Sequence, residues 1–409
     1  MNESEIKLKN LYPLKGAALS CVQCGQCRVP QWPAKAIYDS CPVYKTEFTP
    51  KFEPFFSRGK NVILKGLFWG DLALNKEIRD IFFQCTLCGG CQEFCHNAHN
   101  ENIEFPNHKW MNQVDVYEAL RADLVEAGLS LESHDAMNKS LVELLNPYNR
   151  NNKEKADWLT QLDFKVKDAQ NEKAEVLYFV GCTAAFTPQI QKVAIDTAKI
   201  LKKLGIDFAV FGSNEICCGS VALRTGNLEA FNKVAEKNVQ LFKERGIKKI
   251  ITSCAGCYRT LKKDYHKRLG SIEVFHTIEF LDQFIQENEI KLKKLDKTVT
   301  YHDPCHLGRH MGVYDPPRNI LTKISSFVEM RSHHEGAMCC GAGGGVKKGF
   351  PELALEISKN RIKEAEETGV KTLVSTCPFC YRNLSDGIEA LGSDIAMMDL
   401  VELVLESLE

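Results

Sequence analysis

The sequence predicts an α+β chain of several domains, in which a mostly α-helical N-terminal domain precedes a duplicated α/β domain with parallel sheets. Five cysteines recur later in the chain at an offset of 122 or 123 residues, as expected of a duplicated unit. In both copies short apolar runs alternate with stretches of helical periodicity, which is typical of a parallel sheet. The two sets are Cys182, Cys217, Cys218, Cys254 and Cys257, then Cys305, Cys339, Cys340, Cys377 and Cys380.

Length and charge exclude several classes of protein. A chain of 409 residues exceeds one ordinary core and indicates two or three domains. The 52 Lys and Arg residues nearly balance 53 Asp and Glu residues, so no broad basic surface and no nucleic-acid partner are expected. The longest apolar stretches, such as residues 62–74, fall short of the roughly 20 residues that cross a bilayer, so no direct membrane span is predicted.

The 18 cysteines indicate metal binding more than disulfides. The chain starts with a polar, acidic segment instead of a signal peptide, so we expect a reducing, cytoplasmic compartment. Clustered cysteines in that compartment are more often metal ligands or redox thiols than bridges.

The first third has the cysteine spacing of a ferredoxin-like domain with two clusters. In bacterial ferredoxins, three closely spaced thiolates wrap one 4Fe-4S cubane and the fourth cysteine of the run ligates the other cluster. A zinc site would explain pairs of cysteines but not the regular triplets. We therefore expect two cubanes, one on Cys21, Cys24, Cys27 and Cys95 and the other on Cys41, Cys85, Cys88 and Cys91.

One departure from that spacing lies between Cys27 and Cys41. Residues 28–40 stand where the ferredoxin pattern allows three residues, so Cys41 arrives from a longer loop. Helical periodicity over residues 60–83 predicts helices that space the two clusters. The polar residues 146–153 are typical of an exposed connection. The predicted domains are residues 1–150, 173–290 and 296–409.

In each copy a cysteine follows the end of a predicted strand. The strands of the first copy are expected at residues 176–182, with Cys182 at the carboxyl end, 207–211 and 249–252, and those of the second at residues 298–302, 327–330 and 372–375. Parallel sheets bind ligands beyond the carboxyl ends of their strands. The ten cysteines are therefore expected at ligand-binding edges.

Five thiolates per copy are one too many for a cubane or a zinc ion. Adjacent cysteines cannot easily ligate the same iron, so the pairs Cys217–Cys218 and Cys339–Cys340 predict an unusual cluster. Glycines beside the pairs let the backbone approach the cluster and donate N–H groups to it. A phosphate-binding loop is the alternative, but the sequence lacks the third glycine of that motif and a Walker lysine. The candidate cofactor-binding glycines are Gly219, Gly341, Gly343 and Gly344.

Three strings resemble the D-type subunit of heterodisulfide reductase and, more widely, the CCG-domain iron–sulfur proteins. They are HDPCHLGRH at residues 302–310, CCGAGGGVK at 339–347 and CPFCYRNLSDG at 377–387. The resemblance implies that each five-cysteine motif holds a noncubane 4Fe-4S cluster. It further implies that the two noncubane clusters face each other and that the disulfide of coenzyme M and coenzyme B is split between them. Relatives with relay roles have lost cysteines from one copy, whereas this chain keeps all ten.

The candidate catalytic residues are His302, His306, Cys218 and Cys340. The histidines flank Cys305 and are candidate proton donors to a leaving thiolate, because imidazole titrates near neutrality. The alternative is that they only form hydrogen bonds to the cluster or the backbone.

The resemblance implies a catalytic iron–sulfur subunit that reduces a small-molecule disulfide. The alternative is an electron-transfer subunit between a flavoprotein dehydrogenase, of lactate, glycolate or acyl-CoA type, and a quinone or cytochrome. No flavin motif is present, so electrons are expected from another subunit, either a flavoprotein or a membrane b-type cytochrome. Such a partner would hold the protein at the inner face of the membrane.

Overall fold

The computed structural model describes residues 8–28, 40–49, 51–95 and 111–408. Most of the insertion after Cys27 therefore lies outside the described residues. The chain forms two compact units. Unit 1 contains Met1–Ala136, Val221–Leu228 and Arg331–Arg361, and unit 2 contains Met137–Ser220, Glu229–Met330 and Ile362–Glu409.

The N-terminal part of the described chain is helical. Asn75 and Asn112 begin two of the helices, since each side chain accepts a hydrogen bond from a backbone N–H of the first turn. Leu64, Phe82 and Leu120 are fully buried in the shared core of this part. Its helices are α1 Lys15–Leu19, α2 Ser57–Trp69, α3 Lys76–Phe83, α4 Gly90–Glu93, α5 Gln113–Glu126 and α6 Glu132–Leu144, with 3-10 turns at Tyr12–Leu14 and Glu53–Phe55.

The first copy alternates strands and helices after a 3-10 helix at Asn152–Gln161. Its elements are β1 Lys167–Asp168, β2 Val176–Tyr178, α7 Cys182–Phe186, α8 Gln191–Lys203, β3 Phe208–Val210, α9 Ser220–Arg224, α10 Leu228–Glu244, β4 Lys249–Thr252, α11 Ala255–Arg259, α12 His266–Leu269, β5 Glu273–His276 and α13 Thr277–Glu287.

The second copy repeats this order. Its elements are β6 Thr298–Tyr301, α14 Gly308–Met311, α15 Asp315–Ile324, β7 Ser326–Phe327, α16 Val346–Gly349, α17 Pro351–Glu366, β8 Thr372–Ser375, α18 Pro378–Leu391, β9 Ala396–Asp399 and α19 Leu400–Ser407.

The described strands form two sheets, and all their pairings are parallel. The first sheet has the order β1-β3-β2-β4-β5 and the second has the order β7-β6-β8-β9. Apart from the edge strand β1, the two orders are the same, as duplication predicts. The chain reverses its direction of winding between β2 and β4, and again between β6 and β8. Such switch points open a crevice beyond the carboxyl ends of the strands.

The two copies share a hydrophobic core in unit 2. Ile200 and Leu281 of the first copy belong to the same buried cluster as Val299, Ile320 and Leu400 of the second. The fold class predicted from the sequence is confirmed, including the two parallel sheets and the helical N-terminal part. In the predicted connection at residues 146–153, Asn149, Asn151 and Lys153 are exposed, whereas Asn146 is fully buried and its amide donates to the carbonyl oxygens of Leu144 and Arg150.

Candidate metal centres

A cavity of about 30 Å³ in unit 1 is lined by four cysteines of the ferredoxin-like spacing. They are Cys41, Cys85, Cys88 and Cys91, the set that the sequence predicts for one cubane. Cys85 and Cys88 lie in the turn between α3 and α4, Cys91 lies on α4 itself, and Cys41 comes from an earlier segment. Apolar and aromatic side chains complete the wall, among them Val43, Phe55, Phe56, Leu87 and Tyr117.

These thiols are unfavourable as free thiolates. The pKa of Cys41 is raised to about 12, mainly by burial and also by the neighbouring Cys85 and Cys88. Burial likewise raises the pKa of Cys91, and the same two neighbours contribute to that rise. Buried sulfur ligands of this kind are stabilised as thiolates when a cationic metal centre binds them.

A buried lysine lies at the same cavity. Lys60 on α2 lines it, is only 2% exposed and donates to the carbonyl oxygen of Pro54 at 2.7 Å. Burial lowers the pKa of Lys60, whereas the nearby Cys85 and Cys41 raise it. Its charge would offset the negative charge of a cluster bound by four thiolates.

Three cysteines of the other predicted cubane set come together in unit 1. The pKa of Cys27 is raised to about 12, mainly by burial, and both Cys21 and Cys95 contribute to the rise, as expected if the three sulfurs are neighbours. Lys65 donates to the carbonyl oxygen of Cys21 at 2.8 Å. Cys24, in contrast, is exposed to solvent.

In unit 2 the five cysteines of the first copy form a continuous group. A hydrogen bond to Cys217 and burial raise the pKa of Cys182. Hydrogen bonds with Cys217 and Cys257 lower the pKa of Cys218 to about 6, and the sulfurs of Cys218 and Cys257 are 3.3 Å apart. Cys254 and Cys257 interact through a further hydrogen bond. The carboxyl ends of β2 and β4 thus deliver cysteines to one site, as the sequence predicts.

Backbone contacts hold the first cysteine pair in place. Asn238 donates to the carbonyl oxygen of Cys217 at 2.9 Å, and the hydroxyl of Tyr265 donates to that of Cys218 at 2.8 Å. Both side chains are buried. Groups that orient metal ligands in this way affect the properties of the bound metal as well as the geometry of the site.

An ion pair is buried against the same group. Lys155 has a fully buried side chain that donates to the carbonyl oxygen of Glu215 at 2.6 Å and lies 4.0 Å from its carboxylate. That carboxylate accepts hydrogen bonds from the backbone N–H groups of Val180 and Gly181, which directly precede Cys182. Burial lowers the pKa of Lys155, but Cys182, Glu215 and Cys217 outweigh burial and raise it overall.

The second set is divided between the units. Cys339 and Cys340 belong to unit 1, and Cys305, Cys377 and Cys380 belong to unit 2. Within unit 2, hydrogen bonds from Cys254 and Cys380 lower the pKa of Cys377 well below its ordinary value. Cys254 and Cys377 are equivalent positions of the two copies, so the duplicated CxxC turns meet there.

The predicted histidines lie at the end of β6. His302 is fully buried, and its backbone N–H donates to the carbonyl oxygen of Val374 at 2.8 Å. His306 is also buried, and its Nδ1 lies 3.8 Å from the position that a Cβ would take on Gly256, between Cys254 and Cys257. His306 of the second copy therefore adjoins the CxxC turn of the first.

The predicted glycines have two kinds of surroundings. The N–H groups of Gly219 and Gly341 point to the sulfurs of Cys217 and Cys339, at 3.5 and 3.4 Å. Gly343 and Gly344 instead press against the backbone of Thr86 and Cys85, where a Cβ would meet oxygen atoms at 2.8 and 2.6 Å. Both have room only for glycine.

Several buried residues at these sites were not predicted from the sequence. They are Lys60, Arg121, Lys155, Glu215 and His276. Arg121 donates to four backbone carbonyl groups, and burial lowers its pKa to about 10, so it stays charged at neutral pH. His276 accepts from Ile278 N–H through Nδ1 and donates to the Ser253 carbonyl through Nε2. Their spacing matches no motif, and Arg121, in the middle of α5, reaches the Cys85 turn only through the tertiary fold.

Comparisons with known proteins agree with this geometry. The cysteine-rich domain (CCG) family model matches residues 176–262 and 299–385. The 4Fe-4S dicluster domain matches residues 17–99, which covers both cysteine groups of unit 1. The four thiols that line the cavity, with a compensating lysine, fit a 4Fe-4S cluster. Within the described residues, no helix is both long and apolar enough to cross a membrane.

Two relatives and one solved structure show the extent of the similarity. The chain is 38% identical over 98% of its length to the D-type subunit of the dihydromethanophenazine:CoB–CoM heterodisulfide reductase of Methanosarcina barkeri, of which it covers 97%. It is 26% identical over 95% of its length to the EtfAB:quinone oxidoreductase of Syntrophomonas wolfei, of which it covers 58%. A hypothetical protein from Helicobacter pylori shares the fold, with a TM-score of 0.52 at 10% identity over 100% of this chain and 77% of that one.

Near full-length similarity to a curated relative, two cysteine-rich domains and a dicluster domain all indicate an iron–sulfur oxidoreductase. They confirm the resemblance predicted from the sequence. The chain belongs to the family of the D-type subunit of heterodisulfide reductase.

Proposed function

We propose that the chain is the catalytic iron–sulfur subunit of a heterodisulfide reductase-like complex and reduces a disulfide of the coenzyme M–coenzyme B type. The observation that carries this proposal is the presence of both complete five-cysteine motifs in a chain that covers 97% of a heterodisulfide reductase subunit. The reaction consumes two electrons and two protons and releases two thiols.

The proposed cofactors are two cubane and two noncubane 4Fe-4S clusters. When bound, they would supply electrons one at a time. The cubanes are assigned to Cys21, Cys24, Cys27 and Cys95 and to Cys41, Cys85, Cys88 and Cys91. The noncubane clusters are assigned to Cys182, Cys217, Cys218, Cys254 and Cys257 and to Cys305, Cys339, Cys340, Cys377 and Cys380. The meeting of Cys254 with Cys377 in unit 2 supports a substrate site shared by the two copies.

In this proposal His306 holds a proton for one leaving thiolate. The position of His306 beside Gly256 supports this role. The imidazole there lies next to the CxxC turn of the first copy, and Cys305 of the second copy precedes it in the chain. His302, Cys218 and Cys340 remain the other candidate catalytic residues.

The electrons come from a partner subunit in this proposal, because the chain has no flavin motif. A membrane b-type cytochrome or a flavoprotein would serve, and the protein would then lie at the cytoplasmic face of the membrane. The name of the Methanosarcina barkeri relative, which designates one component of a larger enzyme, supports such an assembly.

The test is turnover of the mixed disulfide by anaerobically purified protein with reduced viologen as the electron donor. Four 4Fe-4S clusters predict about sixteen iron atoms per chain. We expect Cys340→Ser to abolish turnover, and His306→Gln to slow it while the exposed His266→Gln variant, as control, stays unchanged. Absence of turnover from fully loaded protein would overturn the proposal.

A second candidate function is electron transfer between a flavoprotein and a quinone or cytochrome. The 26% identity to the EtfAB:quinone oxidoreductase over nearly the whole chain favours it. Under this alternative the protein reduces a quinone or a partner protein but not the disulfide. Cys339→Ser would then leave that activity intact.

A further inference from the structure

Arg121 on α5 joins three distant segments of unit 1. Its side chain is fully buried. The guanidinium donates to the carbonyl oxygens of Phe82 and Cys85, which bracket the start of a cluster-binding turn. It also donates to the carbonyl oxygens of Arg224 at 2.6 Å and Gly344 at 2.7 Å. One side chain therefore fixes the Cys85 turn and the loop that follows Cys339 and Cys340.

The two turns that Arg121 holds are in direct backbone contact. A Cβ on Gly344 would lie 2.6 Å from the carbonyl oxygen of Cys85, and one on Gly343 would lie 2.8 Å from that of Thr86. Both distances are closer than any real Cβ tolerates. The glycines thus remove the side chains that would otherwise separate a ferredoxin-type turn from the second cysteine pair.

The segment that follows Cys217 and Cys218, at residues 221–228, also contacts Arg121. A Cβ on Gly226 would lie 2.4 Å from the carbonyl oxygen of Arg121. The guanidinium of Arg224 pairs with Glu118, one turn earlier on α5, at 3.0 Å. Segments of both copies therefore contact α5 at Arg121 within unit 1. The Cys85 turn, however, packs against Gly343 and Gly344 of the second copy.

We propose that Arg121 is a positioning residue that holds the Cys85–Thr86 turn against Gly343 and Gly344, and that this contact connects the two cluster sites electronically. The inference rests on the proposed function only in that clusters occupy both sites. When bound, the clusters would supply one-electron transfer, while Arg121, Gly343 and Gly344 hold the Cys85 turn and the loop after Cys340 in contact. Tunnelling falls steeply across gaps, so a contact without side chains favours it.

Arginine is required here for its geometry as well as its charge. Its rigid fork presents five N–H donors, whereas lysine presents three on a flexible stem. Lysine at position 121 would retain the positive charge but could not bind all four carbonyl oxygens. Gln would lose both the charge and most of the donors.

The test compares one-electron transfer between the two sites in anaerobic, fully loaded variants by rapid-freeze EPR after reduction with dithionite. We expect Arg121→Gln and Gly344→Ala to slow the transfer about tenfold, as loss of outer-shell partners does at metal sites. Arg121→Lys should lie between these variants and the unaltered protein. The controls are Arg361→Gln, another buried arginine of unit 1, and Gly392→Ala, which has a similar φ of 61° but no atom within 4 Å of its Cβ position. An unchanged rate in Gly344→Ala with full iron content would overturn the proposal.

A second measurement avoids altering the contact, in case Arg121 variants lose iron. In the unaltered holoprotein the spin of the reduced Cys85 site should couple to that of the second cysteine set. Cys339→Ser should remove the coupling and Cys182→Ser should retain it; the opposite pattern would refute the inference. Intact coupling without disulfide turnover would instead refute the proposed function and leave this inference standing.

Discussion

Lys155 makes the two duplicated cysteine sets electrically different. Its buried ammonium interacts with Cys182 and with the backbone of Glu215. The second copy has Ala337 at the offset that relates Cys217 to Cys339, so it lacks the equivalent of Glu215. Hydrogen bonds and charge near the sulfurs set the reduction potential of a cluster. Two sites of common origin therefore need not have the same potential.

We expect Lys155→Met to lower the reduction potential of the group bound by Cys182, because a positive charge and a donor to sulfur are lost. It should also cost about 3–5 kcal/mol in the free energy of unfolding, since the Glu215 carboxylate is left buried without its cation. An EPR-monitored redox titration and urea unfolding measure the two effects. Lys371→Met, at a 73% exposed side chain, is the control. An unchanged potential would show that Lys155 is only structural.

His134 gives the folded protein a dependence on pH. Burial lowers its pKa to about 4, and its Nε2 lies 3.0 Å from the Gly345 carbonyl oxygen. In the unfolded chain the pKa returns to about 6.5. Between these values the unfolded state binds more protons, so stability rises with pH there and falls as pH drops from 6.5 towards 4.

Replacement of His134 by Gln should therefore flatten the loss of stability between pH 6.5 and 4.5. Gln retains a donor to Gly345 but does not titrate. Denaturant midpoints measured across that range under anaerobic conditions test this expectation. The control variant His266→Gln, at an exposed histidine, should keep the original dependence of stability on pH. The same dependence in His134→Gln would contradict the prediction.

At the scale of elements, the last strand–helix pair of each copy is equivalent although its sequence differs. His276 ends β5 and caps α13, and Asp399 ends β9 and caps α19. Each N-cap forms a capping box with a glutamate of the first helical turn, Glu279 or Glu402. Both copies therefore keep an N-cap at this position, but the capping group is an imidazole in the first copy and a carboxyl group in the second.

We expect Asp399→Ala to destabilise the protein by about 1 kcal/mol, the usual cost of losing an N-cap. Asp399→Asn should cost less, because burial raises the pKa of this carboxyl and an amide carries no charge to desolvate. Thermal unfolding of both variants decides the matter. Equal losses would indicate that the ionised carboxylate, not the cap, is what stabilises α19.

The strands that carry cysteines were predictable, but the edge strands β5 and β9 were not. β2, β4, β6 and β8 are apolar runs that lead directly to a cysteine, so composition and motif agree. β5 and β9 have no such marker, and β5 begins with the exposed Glu273. Pairing with a neighbouring strand, and not local sequence, makes them strands.

At the scale of the whole molecule, the spacing of the N-terminal cysteines predicts a crossed arrangement. Cys27 lies close enough to Cys95 for the two thiols to affect each other, and Cys41 similarly lies near Cys85. This is the arrangement expected if the fourth cysteine of each group joins the cluster of the other group. Both the cysteine spacing in the sequence and the proximity of these cysteines in unit 1 support this pairing.

The crossed pairing can be tested with double variants. Cys21→Ser with Cys95→Ser should lose no more iron than either single variant, about four atoms, because both act on one cluster. Cys85→Ser with Cys95→Ser should lose about eight atoms, because each removes a different cluster. Iron analysis of anaerobically purified protein provides the measurement. Additive loss from the first pair would contradict the assignment.

The cysteine groups are predictable from the sequence because an offset of 122 or 123 residues and a ferredoxin-like spacing are both visible in one dimension. The buried cations are not. The charge of Lys60 acts on Cys85, and Arg121 donates to the carbonyl oxygen of Gly344, and both partners are far away in the chain. Nor could spacing show that Arg331–Arg361, with Cys339 and Cys340, belongs to unit 1.

The exposure of Cys24 affects how the protein should be handled in air. Its neighbour Val22 is 71% exposed, so the turn is open to solvent at residues 22–24, although Cys27 is buried. The cavity lined by Cys41 and Cys88 is enclosed by apolar walls. Accessible thiolates are the ones that oxidants reach first. Damage by dioxygen should therefore begin at the Cys24 end of the chain and spread inward, with the sheltered sites outlasting it.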